Sequence, residues 1–399
     1  MSARIKKDQI VKRTLIKSKF PAGDKPFILT LFSLVIFGIA MVYSATAFFA
    51  QGTFGEAYRL IFLHLGWVFI GTLSFIFFYN FDYKILYHLA LPIFVISIGT
   101  LLILAFFGIL PCELDFIFAP CINGANRWFY LNPSPLPAIP MLGVLSFQPS
   151  ELAKLSTIIY LSMVISKNIK EKTQVFVMYL LIVGLVSVLV ILQPNMSTAA
   201  LIFVVGTVMY FASGAWLLPF FVLIPALSVF GVIAALSSSY RRARILTFLN
   251  PSESSDLGSG YHIKQILIAL GSGGFFGVGL GQSRQKFQYL PEVSADSIFA
   301  IIGEEFGFIG TSLLIVLFCY LIYRGYTISK NAPDLFGRLV GVGITTWIGV
   351  QFFVNIAAMT QIIPLTGIPL PLISYGGSSM IFTLAGLGIL ANISRQAQT

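Results

Sequence analysis

Between Phe27 and Ser394 the chain carries about ten apolar runs, each near the roughly 20 residues a helix needs to cross the ~30 Å hydrocarbon core of a bilayer. They fall at 27–49, 58–79, 85–107, 150–166, 174–192, 198–214, 216–236, 297–323, 338–358 and 374–394. A backbone in hydrocarbon has no water to bond, so each run is expected to be a helix that satisfies its own N–H and C=O groups. With 10% charged residues, against roughly 25% in soluble domains, no stretch is left over for a soluble core. The fold class is therefore an all-α polytopic membrane protein of about ten transmembrane helices. A basic tail, 1–26, precedes one transmembrane domain, 27–399, whose longest loop, 237–296, joins the seventh and eighth runs.

Lys and Arg divide unequally between the two sides. Sixteen lie in the tail and the loops on its side, eight on the other, and Lys154 lies inside a run. The positive-inside rule then places both termini in the cytoplasm and the 237–296 loop outside. The run after the tail is too long for a signal-peptide core and is expected to be retained as the first span. The net charge of +10 lies mostly on the cytoplasmic side, where attraction to anionic lipid accounts for it, and nothing points to nucleic acid. Cys112 and Cys121 share an outward loop and can bridge in an oxidising compartment, whereas Cys319 lies within a run.

Polar residues in so apolar a chain need partners or a task. His64 and His88 have no carboxylate three or four residues away and are left without a role. In the 108–149 loop, Trp128, Phe129 and Tyr130 suit the membrane interface; Arg127 beside them either snorkels to headgroups or contacts a phosphate. Ser150 reads as a helix N-cap. Glu151 and Lys154 then share one face of the fourth run and either neutralise each other or reach across to another helix.

The 237–296 loop is the richest stretch. Arg241 and Arg244 share a side if their segment is helical, as forks for a diphosphate or as an interfacial basic patch. The apolar part of YHIKQILIALGSGG is too short to span and reads as a re-entrant or interfacial helix ended by glycines, in which Lys264 is a further cation. Gly277, Gly279 and Gly281 permit close backbone approach; Ser283, Arg284 and Lys286 add donors; Glu292 and Asp296 flank the start of the eighth run. Asp296 stands where an N-cap belongs, and a carboxylate facing several cations is also where a general base would be held. Glu304 and Glu305 follow inside that run, about 100° apart around the helix, so they cannot share one partner simply. Lys154, as the cation inside a run, predicts a contact between the fourth and eighth runs through one of them. Asn355, Gln361, Ser374, Tyr375, Ser378 and Ser379 read as structural groups around the last two runs.

The motifs GANRWF, LSFQPSELAKL, LQPNMSTA, RILTFLNP, GSGYHIKQILIALGSGG, GVGLGQSRQKFQYLPE, ADSIFAIIGEEFG and GIPLPLISYGGSS, in this order, resemble the SEDS family (FtsW, RodA and SpoVE), polytopic glycosyltransferases of bacterial cell-wall synthesis. GLGQSRQKFQYLPE followed by IIGEE resembles the division branch, FtsW, more than the elongation branch, RodA. The family motif usually reads Thr-Asp-Phe where this chain has Ala295-Asp296-Ser297. The resemblance implies polymerisation of lipid II at the outer face of the cytoplasmic membrane of a bacterium, with Asp296 as the catalytic carboxylate. It implies loop cations near the undecaprenyl diphosphate leaving group; Arg241, Arg244, Lys264, Arg284 and Lys286 form that pool, with Ser283, Glu292 and Arg127 as further substrate contacts. Glu151, Lys154, Glu304 and Glu305 are expected to form an internal charge brace. A divalent cation, Mg2+ or Mn2+, bridging the diphosphate is compatible with this chemistry, and a metal site is not specified by one or two carboxylates. Expected partners are a class B penicillin-binding protein and other division proteins. A lipid II flippase, using Arg127, Glu151, Lys154, Glu304 and Glu305 along its path, and a non-catalytic scaffold for the penicillin-binding protein are the alternatives.

Overall fold

The computed structural model describes residues 23–46, 54–110, 116–122, 125–133, 145–215, 239–249, 259–287 and 293–397. The expected seventh run, 216–236, and Glu292 lie outside the described residues, as does Cys112. The elements in chain order are α1 (Lys25–Thr46), α2 (Phe54–Asn80), α3 (Tyr83–Ile109), β1 (Phe129–Tyr130), β2 (Ser146–Phe147), α4 (Pro149–Asn168), α5 (Lys172–Leu192) and α6 (Met196–Ala212). They continue with α7 (Ser239–Leu249), α8 (Ser259–Gly273), α9 (Ile298–Lys330), α10 (Leu335–Met359) and α11 (Gly377–Ala397). Among the described residues, seven helices are long and apolar enough to cross a membrane, and α6 is a shorter apolar one. The protein is a multi-pass membrane protein. α4 falls outside that set of seven, yet most of it is buried among its neighbours.

Side chains sort by what surrounds them. Leu29, Phe69, Ile96 and Leu313 are exposed and suit a lipid-facing surface, whereas Trp347, Phe318 and Phe352 are fully buried, the last two stacked with ring centroids 4.1 Å apart. Lipid tails are as apolar as leucine, so helices must associate through close fit and hydrogen bonds. At the α2/α11 seam a Cβ on Gly388 would come within 2.7 Å of the Phe75 carbonyl, so the two backbones can approach only with glycine there.

The first and last described residues meet at one end of the bundle. Asp24 accepts from Arg324 of α9 and from the Phe27 N–H, and its own N–H donates to Ser394 Oγ of α11 at 3.0 Å. Tyr83 at the head of α3 donates to Asp334, the N-cap of α10, and Asn392 Nδ2 donates to the Tyr79 carbonyl at 2.8 Å. Asp296 and the loop between α10 and α11 lie at the other end.

Two helix starts differ from expectation. α4 begins at Pro149, with Gln148 as its N-cap, because a proline at the first helical position gives up no intrahelical bond; Ser150 is inside the helix. α9 takes Ser297 as its N-cap, one residue beyond Asp296. Among the described residues the strand content is one short antiparallel pair, with Phe129 opposite Phe147 and Tyr130 opposite Ser146. Cys121 is disulfide-bonded and Cys319 is free.

α9 is broken near its start. Gly307 sits at φ 64° and ψ −163°, a conformation that removes it from the helix and that L side chains rarely adopt. The break frees carbonyls and N–H groups that hydrocarbon cannot satisfy. The glycine-rich segment after α8 supplies the partners: Val278 and Gly279 donate to the Glu304 and Glu305 carbonyls at 2.9 and 3.0 Å, and Phe308 and Ile309 donate to the Gly274 and Phe275 carbonyls at 2.9 and 3.1 Å. Gly277, at φ 79°, lies so close that a Cβ would stand 2.1 Å from the Glu305 carbonyl oxygen.

Candidate functional site

Asp296 precedes the first turn of α9, half-buried, on a strip of backbone held by three hydrogen bonds. The Ser294 carbonyl accepts from the Tyr375 N–H at 2.8 Å, the Ala295 carbonyl from Ser374 Oγ at 2.6 Å, and the Asp296 carbonyl from Asn355 Nδ2 at 2.9 Å. Asn355 also donates to the Ile368 carbonyl at 2.8 Å, and a Cβ on Gly367 would lie 3.3 Å from Asp296 Oδ2. The uncharged loop between α10 and α11 is therefore the floor under the carboxylate. That floor is tied in turn to α6, where Ser197 Oγ donates to the Thr366 carbonyl at 2.7 Å, and to α7, where Arg244 Nη1 donates to the Leu365 carbonyl at 2.9 Å. Three consecutive carbonyls fixed by a buried Asn, a Ser and a backbone N–H leave the Asp296 side chain with a defined origin. That is the preorganisation a general base needs.

A polar ladder climbs α10 toward this floor. Lys154 Nζ lies 2.8 Å from Glu151 Oε2, both side chains nearly fully buried, and reaches Gln351 Oε1 at 3.2 Å. Gln351 accepts from Trp347 Nε1 at 2.8 Å and donates to the Pro369 carbonyl at 3.0 Å, and Asn355 stands one turn above it. The Trp347 ring completes the lysine's surroundings at 4.8 Å. Trp347, Gln351 and Asn355 follow the i, i+4 spacing that stacks side chains on one helix face.

The two glutamates of α9 are held elsewhere. Lys154, expected to meet one of them, is committed to Glu151 and Gln351 instead. Glu304 accepts from Ser283 Oγ and from the N–H groups of Arg284 and Gln285, at 2.9 and 3.3 Å for the latter two. Glu305 pairs with Lys286 Nζ at 3.1 Å and accepts from Ser44 Oγ of α1 at 2.7 Å. Lys286 also donates to the Gly281 carbonyl at 2.7 Å. The physical reason is the return of the 274–286 segment onto α9, which carries its own cation to the depth of Glu305. Ser283 and Lys286, expected at the substrate surface, are buried in this lock.

The remaining candidates divide by position. Arg127 donates to the carbonyls of Gln193 and Pro194 at 3.2 and 2.9 Å, so it secures the turn between α5 and α6 and lies outside the helices. Lys264 and Arg284 are exposed, and Arg244 is half-buried beside the floor. Arg241 lies on α7 and its side chain is outside the described residues. Among the described residues no group of three or more His, Cys, Asp or Glu side chains gathers in a way that could hold a metal ion.

Sequence reasoning passes over His262. On α8 its Nε2 lies 2.7 Å from the Oγ of Ser297, next to Asp296. Burial first, and then the Arg244 guanidinium, push its pKa from 6.5 down to about 4, so the imidazole is neutral at neutral pH. Asn355 and Ser374 read from sequence as structural groups, and their tie to the Asp296 strip is not legible there. A buried Asn in an apolar helix is the available signal, because such a group must find partners.

The model of the FtsW, RodA and SpoVE family of cell cycle proteins matches residues 25–399. Stage V sporulation protein E of Bacillus subtilis is 39% identical over 375 residues, 93% of this chain and 96% of that protein. The probable peptidoglycan glycosyltransferase FtsW of Trichlorobacter lovleyi is 34% identical over 376 residues, with 93% of each covered. Among solved structures, a chain described under "Structural coordination of polymerization and crosslinking by a peptidoglycan synthase complex" matches with a TM-score of 0.71 at 26% identity, covering 94% of this chain and 98% of that one. Rod shape determining protein RodA of Thermus thermophilus matches at 0.66 and 25%, covering 95% and 98%.

Proposed function

Because the chain belongs to the FtsW/RodA/SpoVE family of cell cycle proteins, we propose that it is a peptidoglycan glycosyltransferase that polymerises lipid II at the outer face of a bacterial cytoplasmic membrane during cell division. In this reading both termini are cytoplasmic, and Asp296 stands at the outer end of the bundle. The observation that carries the assignment of the site is the strip 294–296, held by Tyr375, Ser374 and Asn355 so that one carboxylate is presented from a rigid support.

The reaction needs a base at the acceptor and positive charge at the leaving group. The 4-hydroxyl of the acceptor GlcNAc attacks C1 of the donor MurNAc, the C1–O bond to phosphate breaks, and undecaprenyl diphosphate departs with the bonding pair. Asp296 takes the hydroxyl proton as the new bond forms. Arg244 beside the floor, with Lys264 and Arg284 at the surface, forms the cationic group that stabilises the diphosphate. Ser283 and Lys286 drop out of that group because they are committed to Glu304 and Glu305.

A flippase would need mobile charges along a path through the bundle. Glu151, Lys154, Glu304 and Glu305 are instead joined to neighbours by short bonds, which supports a structural brace. A peptidoglycan synthase complex among the structural matches supports a penicillin-binding protein as partner, of class B in this reading. Gel-based polymerisation of lipid II by the purified full chain, with and without such a partner, tests the assignment. Glycan ladders are expected. Translocation of lipid II across vesicles with no glycan under either condition would overturn it.

A further inference from the structure

Ser297 is the N-cap of α9, yet its side chain makes no capping bond to its own helix. An N-cap serine ordinarily gives its oxygen to an N–H two or three residues on. Here the fully buried hydroxyl meets His262 Nε2 at 2.7 Å instead. The residue is also one of the two positions, with Ala295, where the chain departs from the motif it resembles, and the usual phenylalanine has no hydroxyl to offer.

We propose that His262 is a positioning residue for Asp296, acting through Ser297. The imidazole sits at the outer end of the α8 face that packs on α9. Ile266 and Ala269 on that face are buried, and at its far end a Cβ on Gly273 would stand 2.0 Å from the Gly303 carbonyl oxygen. The segment that follows that end is joined to α9 by the backbone bonds around Gly307, so α8 is anchored against α9 at its far end and His262 lies on the same packed face, beside the first turn of α9. The bond to Ser297 sets the rotation of that turn. The floor fixes the carbonyls of 294–296 from below, and His262 fixes the residue that follows, so the Asp296 carboxylate is held between two anchors. This inference rests on the reading of Asp296 as the general base.

The test uses the full chain reconstituted with lipid II and its penicillin-binding partner, comparing His262→Ala, His262→Gln, Ser297→Ala, the His262→Ala/Ser297→Ala double variant and Asp296→Asn. One hydrogen bond that orients a base is expected to move turnover about tenfold. His262→Ala and Ser297→Ala should each lower kcat by about that factor, with KM within about twofold. The double variant should be no worse than the poorer single one, since both remove the same bond. Gln, which reaches Ser297 with an amide, should restore kcat to within about threefold of wild type. Losses confined to KM, single losses that multiply in the double variant, or a Gln variant as slow as Ala would each overturn the proposal. Full activity in Asp296→Asn would overturn the general-base reading itself, which the other variants do not address.

Discussion

Lys286 Nζ lies 3.1 Å from Glu305 Oε1, and both side chains are almost fully buried. The two residues lie 19 positions apart in the chain, one on the glycine-rich 274–286 segment and the other in α9. With Ser44 of α1 bonded to the same carboxylate, the pair joins three segments near the break at Gly307. Removing the cation alone leaves a buried carboxylate without compensation, a change worth about 3–5 kcal/mol in such pairs. Lys286→Met should lower the thermal midpoint and the yield of monodisperse protein. The Lys286→Met/Glu305→Leu double variant should recover much of both, since replacing a buried pair by apolar groups is often neutral. Thermal unfolding in detergent followed by size-exclusion chromatography reads the comparison. Equal loss in the single and double variants would show that the pair is not what holds the hairpin.

Gly277 gives a second handle on the same lock. Its φ of 79°, and the 2.1 Å that would separate an added Cβ from the Glu305 carbonyl oxygen, leave no room for a side chain. Gly277→Ala should therefore destabilise by more than the roughly 1 kcal/mol that separates Gly and Ala in ordinary positions. Gly271, whose Cβ would meet nothing within 4 Å, is the control. Gly271→Ala should leave the midpoint unchanged or slightly raised, and similar losses at both positions would contradict the close packing.

His262 makes stability depend on pH in a defined direction. Its folded pKa of about 4 lies below the 6.5 of an unperturbed imidazole, so as pH falls the unfolded chain takes up the proton first. The contribution of a neutral His262 is fully present above about pH 6.5 and is lost between there and about pH 4. The thermal midpoint of the wild type should fall more between pH 7 and pH 5 than that of His262→Gln, which does not titrate. Parallel curves for the two proteins would show that His262 is not buried in its neutral form.

Much of the architecture is legible because spanning helices announce themselves by length. Nine of the expected runs fall on described helices, and the start of each shifts by only a few residues where a proline or an N-cap decides it. The charge brace is legible in part: Glu151 and Lys154 pair as their i, i+3 spacing allows, whereas the partners of the two glutamates of α9 are not legible. Glu304 and Glu305 plainly need compensation, and Lys154 is the cation that an apolar run offers. Lys286 looks external because its neighbours are polar, and nothing local says that a glycine-rich hairpin doubles back to the depth of Glu305. Gly307 carries the same information in a form that sequence does not disclose. A glycine in an apolar helix reads as a packing contact until the opposing segment, 274–279, is seen to supply the bonds the helix loses around it. Asp296 is visible from its place before an apolar run, whereas Asn355, Ser374 and His262 reach it or its two neighbours, Ala295 and Ser297, from distant parts of the chain. Their roles depend on tertiary contacts that no spacing encodes.

Asp296 and the cations near it serve chemistry, on this reading, while Glu304, Glu305 and the 274–286 segment bonded to them serve architecture. Lipid II polymerisation by purified Asp296→Asn, run beside its thermal midpoint, tests that division most directly. Glycan formation should fall by at least about a hundredfold, the usual scale for loss of a general base, with a midpoint within a few degrees of wild type. Polymerisation at the wild-type rate by a folded Asp296→Asn protein would contradict it.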